Sequence, residues 1–423
     1  MFRFITYFLL YSNVFLYPIL PESNQVEMYK ENLVVKRLQE YIQIDTTGGA
    51  NSDQVVEYWR RQAAELDLPF AVYKPAGLPI CVLTLIGSNP NLTSIMLNSH
   101  ADVVPVETSL WTYPPFSAYI DVDGNMYGRG TQDTKSLGVQ YFEAIRVLLQ
   151  NNITLERTLH VTVMPDEETG GFNGIIPFLE TDEFKSLNIG FALDEGITSS
   201  DDHVYALYQD KRPWQAEYKI QGVGGHGSIM LKGTAAEKLQ TLIDDAMEYR
   251  NEQIQIMKSS DPLDYGVYTT VNMNIVAGGL APNVVPNFMT VVIDMRLANN
   301  ANTTEITDML NSWLSKLGTN STLNFLRQTE ISPPTTLDDS NPYWVALRET
   351  MKDLNIPLKT SMLAATSDMV PVRTKGIPAI GFCTRRNMIS RIHDNNEYIS
   401  VEDYLQGIDV YVELLKRLGN VQG

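Results

Sequence analysis

A chain of 423 residues is longer than one compact core ordinarily supports, so two domains are expected, and 44% hydrophobic with 19% charged residues excludes extended disorder. Fifty acidic against 32 basic side chains leave a formal net charge of -18, which repels phosphate backbones and gives no basic stripe for nucleic acid. An anionic small molecule can still be bound where cations or placed arginines reverse the potential locally.

Met1 to Pro21 has one early charge, Arg3, and then an apolar run from Phe4 to Leu20 interrupted by Ser12, Asn13 and Pro18. The run is short for a membrane span and polar in its middle, so residues 1–21 read as a signal peptide and the protein as secreted. No A-x-A-like pair precedes Glu22, which keeps an uncleaved N-terminal anchor, or a cytoplasmic chain, as alternatives. Four sequons, at Asn91, Asn152, Asn302 and Asn320, fit a secreted glycoprotein. Cys81 and Cys383 are too few for a disulfide framework and sit in apolar, strand-like runs, where buried free thiols are expected.

Residues 22–210 alternate strands with helices. Ile95 to Asn98 runs into Ser99-His100-Ala-Asp102, Thr158 to Met164 runs into Pro165-Asp-Glu167-Glu168, and Ile189 to Leu193 ends at Asp194-Glu195. Polar residues thus gather just past strand ends, where open α/β sheets hold ligands. Between the first two strands Leu137, Tyr141, Ala144, Ile145 and Leu148 recur at helical spacing, with Asp133 placed to cap the helix.

Residues 211–327 read as strand, helix, strand, strand, helix, strand, the βαββαβ order of a ferredoxin-like domain. In the strand from Phe288 to Arg296, Met289, Val291, Ile293 and Met295 share one face, so Arg296 points away from the buried side. Ile306, Met309, Leu310, Trp313, Leu314 and Leu317 form an apolar stripe that reads as core. Residues 328–423 return to mixed α/β, carry His393, and are assigned with 22–210 to one domain.

Taken in order, His100, Asp102, Asp133, Glu167, Glu168, Glu195 and His393 are nitrogen and oxygen donors with no cysteine among them. Such a set suits zinc, cobalt or manganese acting as a Lewis acid, and hydrolysis is the chemistry it favours. Each alone has a plainer reading: a turn for Asp102, a solvated loop for Asp166-Glu167-Glu168. Several carboxylates in one cleft repel unless cations sit among them, so together they point to metal.

His100-Ala-Asp102-Val-Val-Pro105, Tyr127-Gly-Arg-Gly-Thr-Gln-Asp133, Met164-Pro-Asp-Glu-Glu168, Phe191-Ala-Leu-Asp-Glu-Gly196, Gly225-His226-Gly-Ser228 and Ile392-His393-Asp394 resemble the successive motifs of the M20 metallopeptidase family, and among its members the aminoacylases most. The resemblance extends from about Glu31 to Arg417. It implies a zinc-peptidase-like catalytic domain with a mixed sheet, formed by residues 22–210 and 328–423, and an inserted lid and dimerisation domain at 211–327.

The same resemblance implies two Zn2+ per subunit bridged by Asp133 and a water or hydroxide, with Co2+ or Mn2+ able to substitute. His100 and Glu195 would complete one site, Glu168 and His393 the other. Asp102 would hydrogen-bond the far nitrogen of His100, and Glu167 would be the general base for hydrolysis of N-acyl-L-amino acids. His226 would reach the active site of a partner in a homodimer and stabilise the oxyanion. Asn283 and Arg296 match substrate-binding positions, and Arg373 matches a family arginine of substrate-binding or structural role. Val370 departs from the pattern, standing where aminoacylases carry a further arginine, so the substrate wall is less polar there. The alternatives are a dipeptidase or carboxypeptidase using the same metals, and a non-catalytic binding relative.

Overall fold

Two neighbouring strands, Ser94–His100 and Leu159–Met164, are buried along their whole lengths. That is the pattern of strands covered on both faces, and they lie at the centre of an eight-stranded sheet in a computed structural model that describes residues 22–261 and 264–422. Residues 1–21, read above as a signal peptide or anchor, lie outside the described residues. Among the described residues no helix is long and apolar enough to cross a membrane.

The strands lie in the order Phe70–Tyr73, Ile80–Leu85, Leu159–Met164, Ser94–His100, Ile189–Asp194, Ala379–Phe382, Val204–Asp210, Leu358–Leu363. The central four pair parallel, while Ile80–Leu85 and Val204–Asp210 join them antiparallel. Side-chain alternation divides the core in two: Ile95 and Leu97 face the larger cluster, with the Lys135–Gln150 and Val401–Leu418 helices, and Met96 faces the smaller, with Phe178 and Met369. Cys81 and Cys383 are buried and free, as expected.

A second sheet has the order Thr270–Gly278, Phe288–Leu297, Arg212–Gln221, Thr322–Gln328, antiparallel throughout, which is the ferredoxin-like arrangement. Its helices, Ala235–Ser259 and Thr303–Lys316, close a separate core in which Val291, Ile293 and Met295 meet Leu310, Trp313 and Leu317. The first helix begins with a capping box between Thr234 and Glu237. It continues three residues past the expected Ile256, within the usual uncertainty of helix ends.

One local expectation fails. Asp133 does not cap the Lys135–Gln150 helix: the cap position is Thr134, which makes no side-chain cap bond. The two oxygens of the Asp133 carboxylate lie instead against two histidines.

Only Lys211 separates Val204–Asp210 from Arg212–Gln221, so the two sheets are joined by one nearly continuous strand. Side chains span the junction: Arg296 Nη1 donates to Thr366 Oγ1 at 3.0 Å, and Asn299 donates to Gln209 at 2.7 Å. At the opposite end of the smaller domain, Gly225–His226 pairs with Val284–Val285 in an exposed ribbon.

Candidate metal centre

Parallel pairing places three strand ends side by side. His100 ends one strand, Glu167 and Glu168 sit in the single turn after Leu159–Met164, and Glu195 follows Ile189–Asp194. Asp133 enters from the loop before the Lys135–Gln150 helix, and His393 from a loop where it adopts φ 62°. The result is two overlapping donor sets, His100 with Asp133 and Glu195, and Glu168 with Asp133 and His393, each within 4.8 Å.

Asp133 is common to both. Its Oδ1 lies 3.0 Å from His100 Nε2 and its Oδ2 3.0 Å from His393 Nε2. Glu195 Oε2 is 3.3 Å from His100 Nε2, and Glu168 Oε2 is 2.9 Å from His393 Nε2. Glu167 belongs to neither set, although its Oε2 is 4.0 Å from His100 Nε2.

The electrostatics reflect how closely these charged groups are packed. Burial alone would pull His100 down, yet hydrogen bonds to Asp133 and Glu195 hold it well above its ordinary value. His393 is raised to about 10 by bonds to Asp133 and Glu168. Burial raises Glu167 and Glu195 well above the carboxylate range, and each is pushed further by a neighbouring carboxylate. Asp133 is buried too, but its two histidines hold it below the ordinary carboxylate range. Carboxylates and imidazoles thus crowd one another in the cluster, and metal binding there competes with protons for the same donor atoms. Glu168 Oε1 is buried without a hydrogen-bond partner, although it belongs to a candidate ligand. Metal ions fit this set.

Asp102 departs from the expected arrangement. His100 Nδ1 lies 2.8 Å from the backbone oxygen of Asp102, and the carboxylate is farther, at 3.7 Å. A carbonyl can only accept, so Nδ1 carries the proton and Nε2 is left to face the ligand position. The carboxylate accepts instead from the backbone N–H groups of Glu167 and Glu168, at 3.2 and 3.1 Å. Asp102 therefore fixes both the histidine tautomer and the turn that presents Glu167.

Glu397 was not singled out from sequence. Fully buried, it accepts from Arg129 Nη1 at 2.8 Å and from the backbone N–H groups of Gly130, Gln132 and Asp133 at 3.1, 2.6 and 3.1 Å. It ties the loop carrying Asp133 to the segment carrying His393. The only sequence signal was a glutamate four residues after a candidate ligand histidine, which also reads as solvated loop.

The remaining predicted residues are not gathered at the cluster. His226 is exposed and bonds to Ser228 Oγ at 2.8 Å, and Asn283 is exposed beside it, its carbonyl accepting from Gly227. Arg296 lies at the other end of the Phe288–Leu297 strand, paired through Nε with Asp294 at 2.9 Å. The assignment of Arg373 to substrate is corrected. Its guanidinium is buried, with Nη1 2.7 Å from Asp210 and Nε and Nη2 donating to the carbonyls of Ala379 and Leu207. With all three nitrogens engaged, Arg373 holds strands together.

Replacing Glu397 by Gln leaves the Arg129 guanidinium buried without its counter-charge and loosens the Asp133 loop. Metal affinity is expected to fall by about 10–100-fold, the usual scale for residues that orient metal ligands. Competition with a calibrated chelator checks this, and unchanged affinity would show that the clamp does not position Asp133.

Residues 96–417 match the family model for peptidase family M20/M25/M40. The chain is 38% identical to aminoacylase-1 of Sus scrofa over 345 residues, covering 82% of this chain and 84% of that protein. It is 36% identical to aminoacylase-1 of Homo sapiens over 394 residues, covering 93% and 97%. The fold is also that of an M20 family metallo-carboxypeptidase from Sulfolobus solfataricus, with TM-score 0.74 at 19% identity, covering 92% of this chain and 99% of that one. The ligand motifs, their assembly at adjoining strand ends and the match over most of the chain agree: this protein belongs to peptidase family M20/M25/M40.

Proposed function

We propose that the chain is a metal-dependent amidohydrolase that cleaves N-acyl-L-amino acids to a free amino acid and a carboxylic acid. The observation that carries this is the pair of donor sets sharing Asp133, with Glu167 beside them but outside both. Likeness to aminoacylase-1 over most of the chain supports the substrate class. Nitrogen and oxygen donors without thiolate suit zinc, with cobalt or manganese as substitutes.

When bound, two such cations supply Lewis acidity and make water a nucleophile near neutral pH. The chain's own residues do the rest. Glu167, whose burial raises its proton affinity, takes a proton from the attacking water and returns it to the departing amine. The Asp102 carboxylate holds the turn that aims Glu167. Arg296, on the face of its strand away from the smaller core, is paired with Asp294 and Thr366 and is exposed enough to turn its terminal N–H groups to the substrate's carboxylate.

His226 and Asn283 share the exposed ribbon, separated from Arg296 by most of a ten-residue strand, which spans on the order of 30 Å. We assign that ribbon to a partner subunit's cleft in a homodimer. Exposed apolar side chains surround it: Ile229 is 57% exposed, Met230 97%, Leu280 94% and Phe288 61%. Such a surface is suited to contact with a second copy.

Turnover of N-acetyl-L-methionine is expected to stop with chelator and to fall by about 10²-fold or more in Glu167→Gln, the scale of a positioned acid–base group. Full activity with chelator present would refute the metal reading, and activity confined to dipeptides would refute the substrate class. For the homodimer, inactive Glu167→Gln and His226→Ala chains are mixed after dissociation. Mixed dimers should regain turnover, because one cleft then has an intact base and an intact partner histidine. No recovery, with mixed dimers shown to form, would show that His226 does not act in a partner's cleft.

A further inference from the structure

The junction between the two domains holds, besides Arg296, an arginine that the metal centre and its supporting contacts do not use. Arg327 lies near the end of the Thr322–Gln328 strand, which leads from the smaller domain back towards the larger one. Its side chain rests on the turn that follows Glu167 and Glu168: a Cβ placed on Gly170 would lie 3.3 Å from both terminal guanidinium nitrogens, and the Phe172 ring centre is 5.9 Å from its Cζ. Among the described residues its one hydrogen bond runs from Nε to Thr329 Oγ1 at 3.4 Å, so neither terminal nitrogen has an acceptor.

Its neighbours sharpen the point. Burial lowers its proton affinity and nearby Arg296 lowers it further, while Glu167 and Asp294 raise it, so all three charged groups act on the guanidinium. Asp294 is already engaged by Arg296. A guanidinium whose terminal nitrogens have no acceptor, resting on the turn that follows Glu167 and Glu168, is suited to an anion.

Substrate geometry says which anion. In an N-acyl amino acid the free carboxylate is attached to the carbon that bears the scissile nitrogen, so its anchor must lie close to the group that protonates that nitrogen. Arg327 is so placed with respect to Glu167. The Gly170–Gly171 turn also links it to position 370, because a Cβ on Gly171 would lie 3.3 Å from Asp368 Oδ1, two residues before Val370. Arg327 thus flanks the turn whose other side leads to the valine that replaces the arginine of the aminoacylase pattern.

We infer that Arg327 is a specificity-determining residue that binds the substrate's free carboxylate together with Arg296, supplying from the junction strand the guanidinium that Val370 lacks. This deepens the proposed function and rests on it.

The test reads binding apart from turnover. Zinc-loaded Glu167→Gln protein is titrated calorimetrically with N-acetyl-L-methionine and with its carboxamide, with and without Arg327→Gln, and again with Arg327→Gln and Val370→Arg combined. Loss of a charge-assisted bond should weaken the acid by about 10–100-fold. The carboxamide should be unaffected, and Val370→Arg should recover a substantial part of the lost affinity for the acid. Equal weakening of both ligands would mark Arg327 as structural, and no weakening of the acid, or no binding of it by the parent, would overturn the carboxylate site. Turnover by the wild-type protein is scored separately, so an enzyme that binds the acid through Arg327 without hydrolysing it contradicts the proposed function and not this assignment.

Discussion

One carboxylate holding two histidines is the constraint on which the rest of the site depends. Asp133 lies 3.0 Å from His100 on one side and 3.0 Å from His393 on the other, and these histidines come from segments almost 300 residues apart. Sharing the carboxylate means that neither donor set can be built alone. It also packs Asp133, Glu167, Glu168 and Glu195 into one partly buried cleft, a concentration of like charge that requires cations or protons. The same carboxylates raise the proton affinity of both histidines.

The fold meets the positional demand with rigid parts. Three adjoining parallel strands deliver His100, the Glu167–Glu168 turn and Glu195 to one edge of the sheet. The Asp133 loop has no strand to fix it and is secured by Glu397, which accepts from three of its backbone N–H groups. Asp102 performs the corresponding task for the Glu167–Glu168 turn, through bonds from both backbone N–H groups. The two carboxylates that orient the site are thus spent on backbone amides, while those that face ligand remain free of them.

Much of this was legible in the sequence, for identifiable reasons. Strand ends followed by acidic pairs, and the βαββαβ rhythm with its alternating Met289, Val291, Ile293 and Met295, are periodic signals that burial on one face imposes. The ligand residues were legible as a series of motifs. What sequence could not convey was the direction of individual side chains. Asp133 was read as a helix cap because it precedes a helix, when its carboxylate turns to the histidines. Arg373 matched a substrate position, yet Asp210, 163 residues earlier, claims its guanidinium. Glu397 and Arg327 carry no local signature, because their partners come from distant segments of the chain.

The shared carboxylate is tested most directly by counting metal. Metal-free protein titrated with zinc should bind two ions per chain, His393→Ala should retain one, and Asp133→Ala should weaken both sites together. A wild-type stoichiometry of one, or an Asp133→Ala protein that binds two ions with undiminished affinity, would contradict a dinuclear centre built around Asp133.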